Sequence, residues 1–519
     1  MRLRKNPFLY FVLAVSLYLI ACSKPEAEPN PPTPPTPSLV VDNATLNFKS
    51  GSTTDSITIT STDPWTVSIP TTATWVSADK TSGVAGTSKI KITVTPNTSD
   101  ISRTCALSIN RTGSTLIPVM VNLTQDQPEV DISSFTPHAP GGDVITLNGT
   151  GFSPTVGNNI VKINGIVATV NTATTTTLSV KVPLRAGIGR IQVSVNAKSD
   201  TSSTDFIYDW IGTVSIIAGG EKGFADGVGA NAKFSQPAGI DIDASGNLYV
   251  ADWANYKVRK VTPDGTVTTF PGRIPSWADP SGPNTDFDIP GDVAIDASGN
   301  LFVAEERGNA ISKIAPNGTV TLVAGGGASG TADGTGTGAQ FYWPMSIEVD
   351  ETGNLIVADA QNNRIRKVIS SGVVTTLAGS VPAYLDGPGT TAKFNMPTSV
   401  IKDLQGNFLI TDYFNYRVRK MTPDGVVTTF AGNGQQGATD GDLLTANIYW
   451  PTDITINSKG NIYLCDGNSK IRFISSNGKV NTINTNITFD GPKGIAVDNN
   501  DNVYISDMFN HRICKVTYQ

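Results

Sequence analysis

Histidine is almost absent from this chain of 519 residues, which contains only His138 and His511. A zinc centre built on imidazoles needs several histidines in one place. Such a centre is therefore excluded by counting. Ser-His hydrolysis is disfavoured too, because no G-x-S-x-G elbow places a nucleophilic serine on a sharp turn.

Cysteine is nearly as scarce, with four residues that fall in four different segments: Cys22, Cys105, Cys465 and Cys514. This distribution does not form the paired pattern of a disulfide framework. We predict that Cys105, Cys465 and Cys514 are free thiols in apolar surroundings.

The chain also lacks a surplus of positive charge and long segments of helical period. Lys and Arg number 38 against 44 Asp and Glu, for a formal net charge of -6. Nucleic acid is therefore an unlikely class of partner, since phosphate backbones attract basic surfaces. The 50 glycines and the short Val/Ile-rich runs predict an all-β protein, and the length predicts three or four domains.

The one long apolar run lies at the N-terminus. Arg2, Arg4 and Lys5 precede an apolar stretch over residues 8–20, which is too short to span a bilayer and is typical of an export signal. Residues 19–22, Leu-Ile-Ala-Cys, resemble the lipobox of bacterial lipoproteins. The resemblance implies a signal peptide over 1–21 and acylation of Cys22, which would hold the protein on the outer membrane, at the cell surface or the periplasmic face. The alternative is an ordinary secretory signal with an incidental Cys.

Two segments of alternating strand and turn signals follow a Pro-rich linker over 22–38. In 39–127, Trp65, Trp75 and the closing Gln125 resemble a BACON module, a class proposed to bind carbohydrate or mucin. The alternative is that both tryptophans belong to the core of a β-sandwich. In 128–209, Gly149-Thr150-Gly151-Phe152 and Val182-Pro183 resemble an IPT/TIG domain of immunoglobulin-like fold, which we expect to act as a stalk.

The remaining residues, 210–519, form an internal repeat. Each unit begins at a proline, the first five 53 or 54 residues apart and the last 41 further on: Pro237, Pro290, Pro344, Pro397, Pro451 and Pro492. An apolar strand then ends in an acid, which is Asp252, Glu305, Asp359, Asp412, Asp466 or Asp507. The units resemble NHL repeats, which implies a six-bladed β-propeller. The predicted fold is all-β, with two small β-sandwich domains followed by this propeller.

The ends of the repeat predict how the ring closes. The sixth unit stops at CKVTYQ without a fourth strand, while a strand of that type, GTVSIIAGG, precedes the first unit. We expect the early strand to complete the last blade, so that no sheet edge is left free and the propeller is monomeric.

Aromatic residues gather in the loops that the family geometry places on one face of such a propeller. They are Trp253, Trp277, Tyr342, Trp343, Tyr413, Phe414, Tyr449, Trp450 and Phe509. Flat rings with a polar edge suit sugars or an extended peptide, and exposed aromatic patches usually mark a binding surface. The alternative is that the rings seal each blade against its neighbour. The phenylalanines three residues before the repeat proline, such as Phe234, are expected to do this.

Two sets of carboxylates recur with the repeat. Asp226, Asp279, Asp333, Asp386 and Asp440 stand eleven residues before the proline, where they either cap their own Gly-rich loops or ring the channel and hold a cation. The acids that end the second strands are expected to pair with an arginine of the third strand, as Asp252 with Arg259.

These observations favour a non-catalytic lipoprotein that presents an aromatic propeller face to a glycan. The modules together resemble accessory glycan-binding proteins of outer-membrane polysaccharide-uptake systems. Two alternatives stay open: a protein-interaction scaffold of the cell envelope, and a calcium-dependent lactonase or lyase of the propeller type. No cofactor is expected, with calcium the one left open.

Overall fold

The computed structural model describes residues 36–115, 117–272, 286–475 and 478–518. Cys22, Trp277 and Asp279 lie outside these ranges. No helix within them is long and apolar enough to cross a membrane. The chain divides into two compact units between residues 127 and 128. Regular structure in the described part is β-strand, apart from short 3₁₀ turns.

The first unit contains two antiparallel-rich sheets packed around one apolar core. In hydrogen-bonded order, one sheet has strands Leu39–Val41, Thr54–Ser61, Gly86–Val94 and Val76–Ala78, and the other has Thr45–Phe48, Val119–Gln125, Arg103–Arg111, Trp65–Ser68 and Ser82–Gly83. Trp65 is 1% exposed, and a Cβ on Gly83 would lie 2.3 Å from its indole. Trp75 is half-buried beneath the guanidinium of Arg103, which lies 4.5 Å from the ring centroid. Core packing is therefore the role of Trp65, and Trp75 packs at the margin of the same core.

The second unit begins with an eight-stranded β-sandwich. Its strands, in hydrogen-bonded order, are Asp131–Phe135, Val144–Thr150, Thr177–Lys181, Ile166–Ala173, Asn159–Ile163, Gly189–Val195, Lys198–Tyr208 and His138–Ala139, with a 3₁₀ turn at Val156–Asn158. Inward positions alternate along these strands, as the burial of Ile191, Val193 and Val195 shows. This alternation produces the core of an immunoglobulin-like sandwich.

Six four-stranded blades follow, which confirms the predicted propeller. From the channel outward, the strands of blades 1 to 3 are Pro237–Ile242, Leu248–Asp252, Lys257–Val261 and Thr266–Thr269; Pro290–Ile295, Leu301–Glu305, Ala310–Ile314 and Val320–Gly325; Pro344–Val349, Leu355–Asp359, Arg364–Val368 and Val373–Gly379. Those of blades 4 to 6 are Pro397–Lys402, Phe408–Asp412, Arg417–Met421 and Val426–Ala431; Asp453–Ile456, Ile462–Asp466, Lys470–Ile474 and Lys479–Thr485; Pro492–Val497, Val503–Asp507, Arg512–Tyr518 and Trp210–Gly219.

Short elements join the blades. The two-residue strands Gly227–Val228, Gly334–Thr335, Gly387–Pro388 and Gly441–Asp442 each pair with the outermost strand of blades 1, 3, 4 and 5. The 3₁₀ turns are Gly229–Asn231, Trp253–Asn255, Gly336–Gly338, Ala360–Asn362, Gly389–Thr391 and Tyr413–Asn415.

The ring closes as the sequence predicts. The strand Trp210–Gly219 runs antiparallel to Arg512–Tyr518, with Thr213 opposite Thr517 and Val214 opposite Val516. Its first residues also pair in parallel with the outer strand of blade 5, beginning with Trp210 opposite Ile483. The early strand therefore completes blade 6 and joins it to blade 5.

The sandwich of the second unit shares its hydrophobic core with blades 5 and 6. Trp210 lies at the centre of this shared core, with ring centroids 4.8 Å from Tyr208, 4.4 Å from Phe473 and 5.5 Å from Tyr518. Because one apolar cluster spans both modules, the sandwich is packed on the propeller and is more than a stalk attached through a linker.

Cys105, Cys465 and Cys514 are free thiols, as predicted. Cys465 and Cys514 are buried, and Cys105 is half-buried. Burial raises the pKa of Cys514 to about 12, which keeps its thiol protonated and poorly nucleophilic.

We expect the closing strand to control the stability of the whole propeller. Replacing the fully buried Ala218 by Asp places a carboxylate in the core of blades 6 and 1. The urea midpoint should fall, because a buried charge without a partner destabilises the folded state. Replacing the exposed Ser215 of the same strand by Asp should change the free energy of unfolding by less than about 0.5 kcal/mol. Equal stability of the two variants would show that the strand is not needed for closure.

Candidate functional site

The predicted aromatic residues that fall within the described ranges lie in loops of one propeller face. Within a blade, the loop after the second strand donates backbone hydrogen bonds to the segment that precedes the first strand: Ala360 N to Trp343 O at 3.2 Å, Phe414 N to Asn395 O at 3.1 Å and Gly467 N to Tyr449 O at 2.7 Å. These bonds bring the two kinds of loop together at the same end of the blade. We call this end the loop face, and the opposite end, which carries the turns between first and second strands, the turn face.

The residue before each repeat proline is held in the left-handed backbone region. In five blades it is not glycine: Gln236, Ile289, Trp343, Met396 and Trp450 have φ between 46° and 59°. Hydrogen bonds from the neighbouring blade fix several of these residues, since Trp343 N donates to Asn309 Oδ1 at 3.3 Å and Met396 N to Asn363 Oδ1 at 2.8 Å. The strained backbone directs the Trp343 and Trp450 side chains onto the loop face.

His511 has the same role as these asparagines. Its Nδ1 accepts a hydrogen bond from the backbone N–H of Gln236 at 3.1 Å, between blades 6 and 1. Burial, with a contribution from the charge of Lys222, lowers the pKa of His511 and keeps Nδ1 available as an acceptor. The propeller histidine is thus a structural link between blades.

Four of the predicted residues meet at the seam between blades 4 and 5. Tyr413 and Trp450 are stacked, with centroids 5.8 Å apart and planes 7° from parallel, and Phe414 meets Tyr413 edge-on at 4.9 Å. Tyr449 lies 4.4 Å from Trp450 and stacks on Tyr416 at 6.2 Å. We call these five residues the aromatic strip. Tyr416 was not predicted, although it lies only three residues after Tyr413 in the sequence.

The aromatic strip combines packing between two blades with a surface that faces solvent. Trp450 is half-buried, and its Nε1 has no hydrogen-bond partner among the described residues, as in a packed seam. Phe414, at the outer end, is 44% exposed. The inner rings therefore seal two blades together, while the outer edge of the strip faces solvent.

The other predicted rings stand apart from the strip. Tyr342 and Trp343 of blade 3 are each 41% exposed and meet edge-on, with centroids 6.5 Å apart. Phe509 of blade 6 is 51% exposed and packs over Gly491, where an added Cβ would lie 2.6 Å from the ring. The Trp253 indole Nε1 donates to Glu306 Oε2 at 3.1 Å, between blades 1 and 2. The structure thus gathers one cluster and three separate groups on the loop face.

Buried arginines hold the loops in place. Arg366 donates from Nη1 to Asp359 at 2.7 Å and from Nη2 to Asp333 at 2.8 Å, and its guanidinium lies 5.3 Å from the Phe341 ring centroid. Blades 1, 4 and 5 repeat the two-carboxylate arrangement with Arg259, Arg419 and Arg472. Burial raises the pKa of Asp359, so removing the cation would leave a buried carboxylate uncompensated, at a cost of about 3–5 kcal/mol.

These arrangements confirm one prediction and correct another. The acids that end the second strands pair with arginine, as expected, in every blade except blade 2. Asp226, Asp333, Asp386 and Asp440 neither cap their own loops nor ring the channel. They bind the same arginines and a threonine of the outer strand, for example Thr376 Oγ1 to Asp333 Oδ1 at 3.0 Å. Phe234, Phe287, Phe341 and Phe394 are fully buried, which confirms their packing role.

Blade 2 departs from this pattern. Ser312 occupies the arginine position, and its hydroxyl contacts Glu305. Asp288 Oδ1 and Glu306 Oε1 are buried without a partner among the described residues. Burial raises the pKa of Asp288 to about 6, with the charge of Arg307 acting in the opposite direction. No sequence signal for these two acids was recognised. Glu306 has no acidic equivalent in the other blades, and Asp288 recurs only as Asp490 of blade 6.

The innermost strands enclose a channel of about 310 Å³ lined by Asp241, Asp292, Glu348 and Asp453. Three of these acids accept backbone N–H bonds from another blade: Asp241 from Ile295 at 2.8 Å, Asp292 from Ile347 at 3.1 Å and Asp453 from Ile495 at 2.7 Å. Burial raises the pKa of Asp241 to about 6 and that of Glu348 to about 8. Over the described ranges, no group of three or more His, Cys, Asp or Glu side chains is placed to hold a metal ion.

Comparison with known proteins identifies two kinds of module. Residues 130–208 match the IPT/TIG domain, and residues 234–261 and 489–516 match the NHL repeat. The second unit is therefore an IPT/TIG domain followed by an NHL-type propeller.

Individual relatives are distant. The chain is 27% identical over 286 residues to Protein SUPPRESSOR OF QUENCHING 1, chloroplastic, of Arabidopsis thaliana, a match that covers 51% of this chain and 27% of the plant protein. Among solved structures, a protein of unknown function from Bacteroides thetaiotaomicron has a TM-score of 0.48 at 22% identity, covering 76% of this chain and 98% of that one. An auxiliary nutrient binding protein from Bacteroides ovatus has a TM-score of 0.46 at 16% identity, covering 76% and 99%.

The raised pKa of Glu348 predicts a pH-dependent gain from its replacement. A folded-state pKa above the unfolded value means that this group contributes stability at low pH and loses it as the pH rises toward 8. Glu348→Gln should therefore unfold at a higher temperature than the unmodified protein at pH 8.5, and the difference should vanish near pH 4.

The matched control is Glu351→Gln, three residues away on the exposed turn. The hydrogen bond from Lys402 lowers the pKa of Glu351, so this variant should show no gain at pH 8.5. If the difference in melting temperature between Glu348→Gln and the unmodified protein is the same at both pH values, the burial of Glu348 in the channel is contradicted.

Proposed function

We propose that the chain is a non-catalytic binding protein whose propeller presents its loop face to a glycan. The observation that carries the proposal is the set of exposed rings on that face: the outer edge of the aromatic strip, the Tyr342–Trp343 pair and Phe509. A packing role alone leaves Trp343 unexplained, because its ring is 41% exposed and the equivalent residues of blades 1, 2 and 4 are Gln236, Ile289 and Met396.

A pyranose is a suitable partner for such a surface. Its C–H face packs on an aromatic ring while its hydroxyls require nearby hydrogen-bonding groups. The strip has polar groups at its edge, where Gln436 Nε2 donates to Tyr416 Oη at 2.7 Å and Asn433, Gln435 and Asn447 form a linked network. A rigid scaffold holds these loops in one arrangement, which reduces the entropy lost on binding.

The proposal includes an anchor at the other end of the chain. Acylation of Cys22 would hold the protein on the outer membrane, and the Pro-rich segment over 22–38 would keep the folded modules away from the lipid. The BACON-like module of the first unit would then stand between the anchor and the IPT/TIG domain in the chain. Its buried Trp65 leaves no role for that ring as a sugar platform.

Affinity electrophoresis on a panel of polysaccharides tests the loop-face proposal. Trp343→Ala should weaken the apparent affinity for the recognised polysaccharide by about tenfold, because the variant loses one stacking contact and its desolvated surface. Trp450→Ala should weaken it as well through loss of the strip. Trp75→Ala, in the first unit, is the control and should leave the retardation unchanged.

Failure on the whole panel, or retardation that survives both propeller substitutions, would count against a glycan site on the loop face. Capture of an envelope protein through the same residues would instead support the scaffold alternative. Turnover of a lactone that is lost with a chelator and restored by calcium would support the enzyme alternative.

The anchor has a separate test. We expect the unmodified chain, expressed in a bacterium with lipoprotein processing, to fractionate with the membrane and to partition into detergent. Cys22→Ser should release it into the aqueous phase, because the thiol that receives the lipid is gone. Cys105→Ser should stay with the membrane fraction. An unchanged distribution of Cys22→Ser would rule out anchoring through this residue.

A further inference from the structure

A second cavity, of about 390 Å³, lies where the IPT/TIG domain packs on the turn face of blades 5 and 6. Its walls include Asn164, Ile166 and Arg185 from the sandwich and Lys459, Asn461 and Ser475 from blade 5. The aromatic rings of Trp210, Phe473 and Tyr518 form its floor. The cavity is separate from the loop face, because Lys459 and Asn461 belong to a turn between first and second strands.

The charge of this cavity is positive. Arg185 Nη1 and Lys459 Nζ both donate to the same atom, Asp501 Oδ2, at 2.7 and 2.6 Å. The Asp501 side chain is 2% exposed, while those of Arg185 and Lys459 are 41% and 63% exposed. None of the described residues that line the cavity is acidic. Two cations therefore share one buried carboxylate, and one positive charge is left over at the wall.

The geometry of Arg185 is fixed before any ligand arrives. Its backbone has φ of 59°, a left-handed conformation that a non-glycine residue keeps only where the surrounding structure holds it. The backbone N–H donates to Tyr208 Oη at 2.8 Å, and the guanidinium lies 5.0 Å from the Tyr518 ring centroid. These contacts hold the guanidinium at the cavity wall, with N–H groups beyond the Asp501 contact to offer.

The remaining groups suit a sugar ring. Asn164, Asn461 and Ser475 are polar groups of the kind that hydrogen-bond hydroxyls, while Ile166 and the aromatic floor supply apolar surface. The volume lies in the range of small-molecule sites, which occur preferentially between domains. A carboxylate is one of the groups that a guanidinium and an ammonium recognise together through charge-assisted hydrogen bonds.

We propose that this interdomain cavity binds a carboxylate-bearing sugar, a hexuronate, with its carboxylate at Arg185 and Lys459. The site is independent of the glycan proposed for the loop face. A free hexuronate and the terminal residue of an acidic oligosaccharide present the same chemistry to it.

Titration calorimetry on the full chain tests the proposal, with galacturonate, glucuronate and trigalacturonate against galactose and glucose. The acidic sugars should bind and the neutral ones should not. Lys459→Met should weaken binding by about tenfold or more, which is the loss of one charge-assisted hydrogen bond. Lys260→Met, in the third strand of blade 1, is the control and should bind as the unmodified protein does. Binding of the monosaccharides identifies a free hexuronate as sufficient, and binding of trigalacturonate alone identifies a polymer end.

Arg185→Met serves as a second variant, and its melting temperature shows whether it folds. The absence of heat with all three acidic ligands, equal affinity for neutral sugars, or uronate binding that Lys459→Met leaves intact would each overturn the proposal. The loop-face site is tested separately. Trp343→Ala should leave uronate binding unchanged, and Lys459→Met should leave polysaccharide retardation unchanged.

Discussion

The pairing of Trp210–Gly219 with Arg512–Tyr518 is the constraint on which the rest of the second unit depends. A propeller whose first and last blades do not join would expose two sheet edges and the apolar faces between them. The same strand begins with Trp210, whose ring joins the IPT/TIG domain to blades 5 and 6. One segment thus closes the ring and packs the neighbouring domain against it, which places both candidate sites in one compact unit.

The sequence was sufficient to predict the parts of this architecture that repeat. Pro237 and its five equivalents revealed six blades, and the unpaired strand type before the first unit revealed the closure. The Asp252–Arg259 pair was predictable because both residues recur at fixed spacing. For the second partner of that arginine, Asp226, the sequence predicted either a loop cap or a place in a ring around the channel. Both were wrong, since sequence spacing does not show that one guanidinium can reach carboxylates on two segments.

The candidate sites depend on features that do not repeat, and these were harder to foresee. The aromatic strip includes Tyr416, which became visible only when blade 4 and blade 5 were placed side by side. Glu306 has no acidic equivalent outside blade 2, in which serine replaces the usual arginine. The cavity at Arg185 and Lys459 unites residues 274 positions apart, and only the packing of the sandwich on the propeller brings them together. Local pattern therefore predicts the scaffold better than the places where two elements meet.

The closing strand also dictates an order of events during synthesis. Residues 210–219 emerge early, but their partner strand follows some 300 residues later, so the ring cannot form while the chain is still being delivered. Until then the early strand offers its unpaired N–H and C=O groups to any other extended segment nearby. Bringing such distant segments together is slow, and the chain would need protection from self-association throughout that interval.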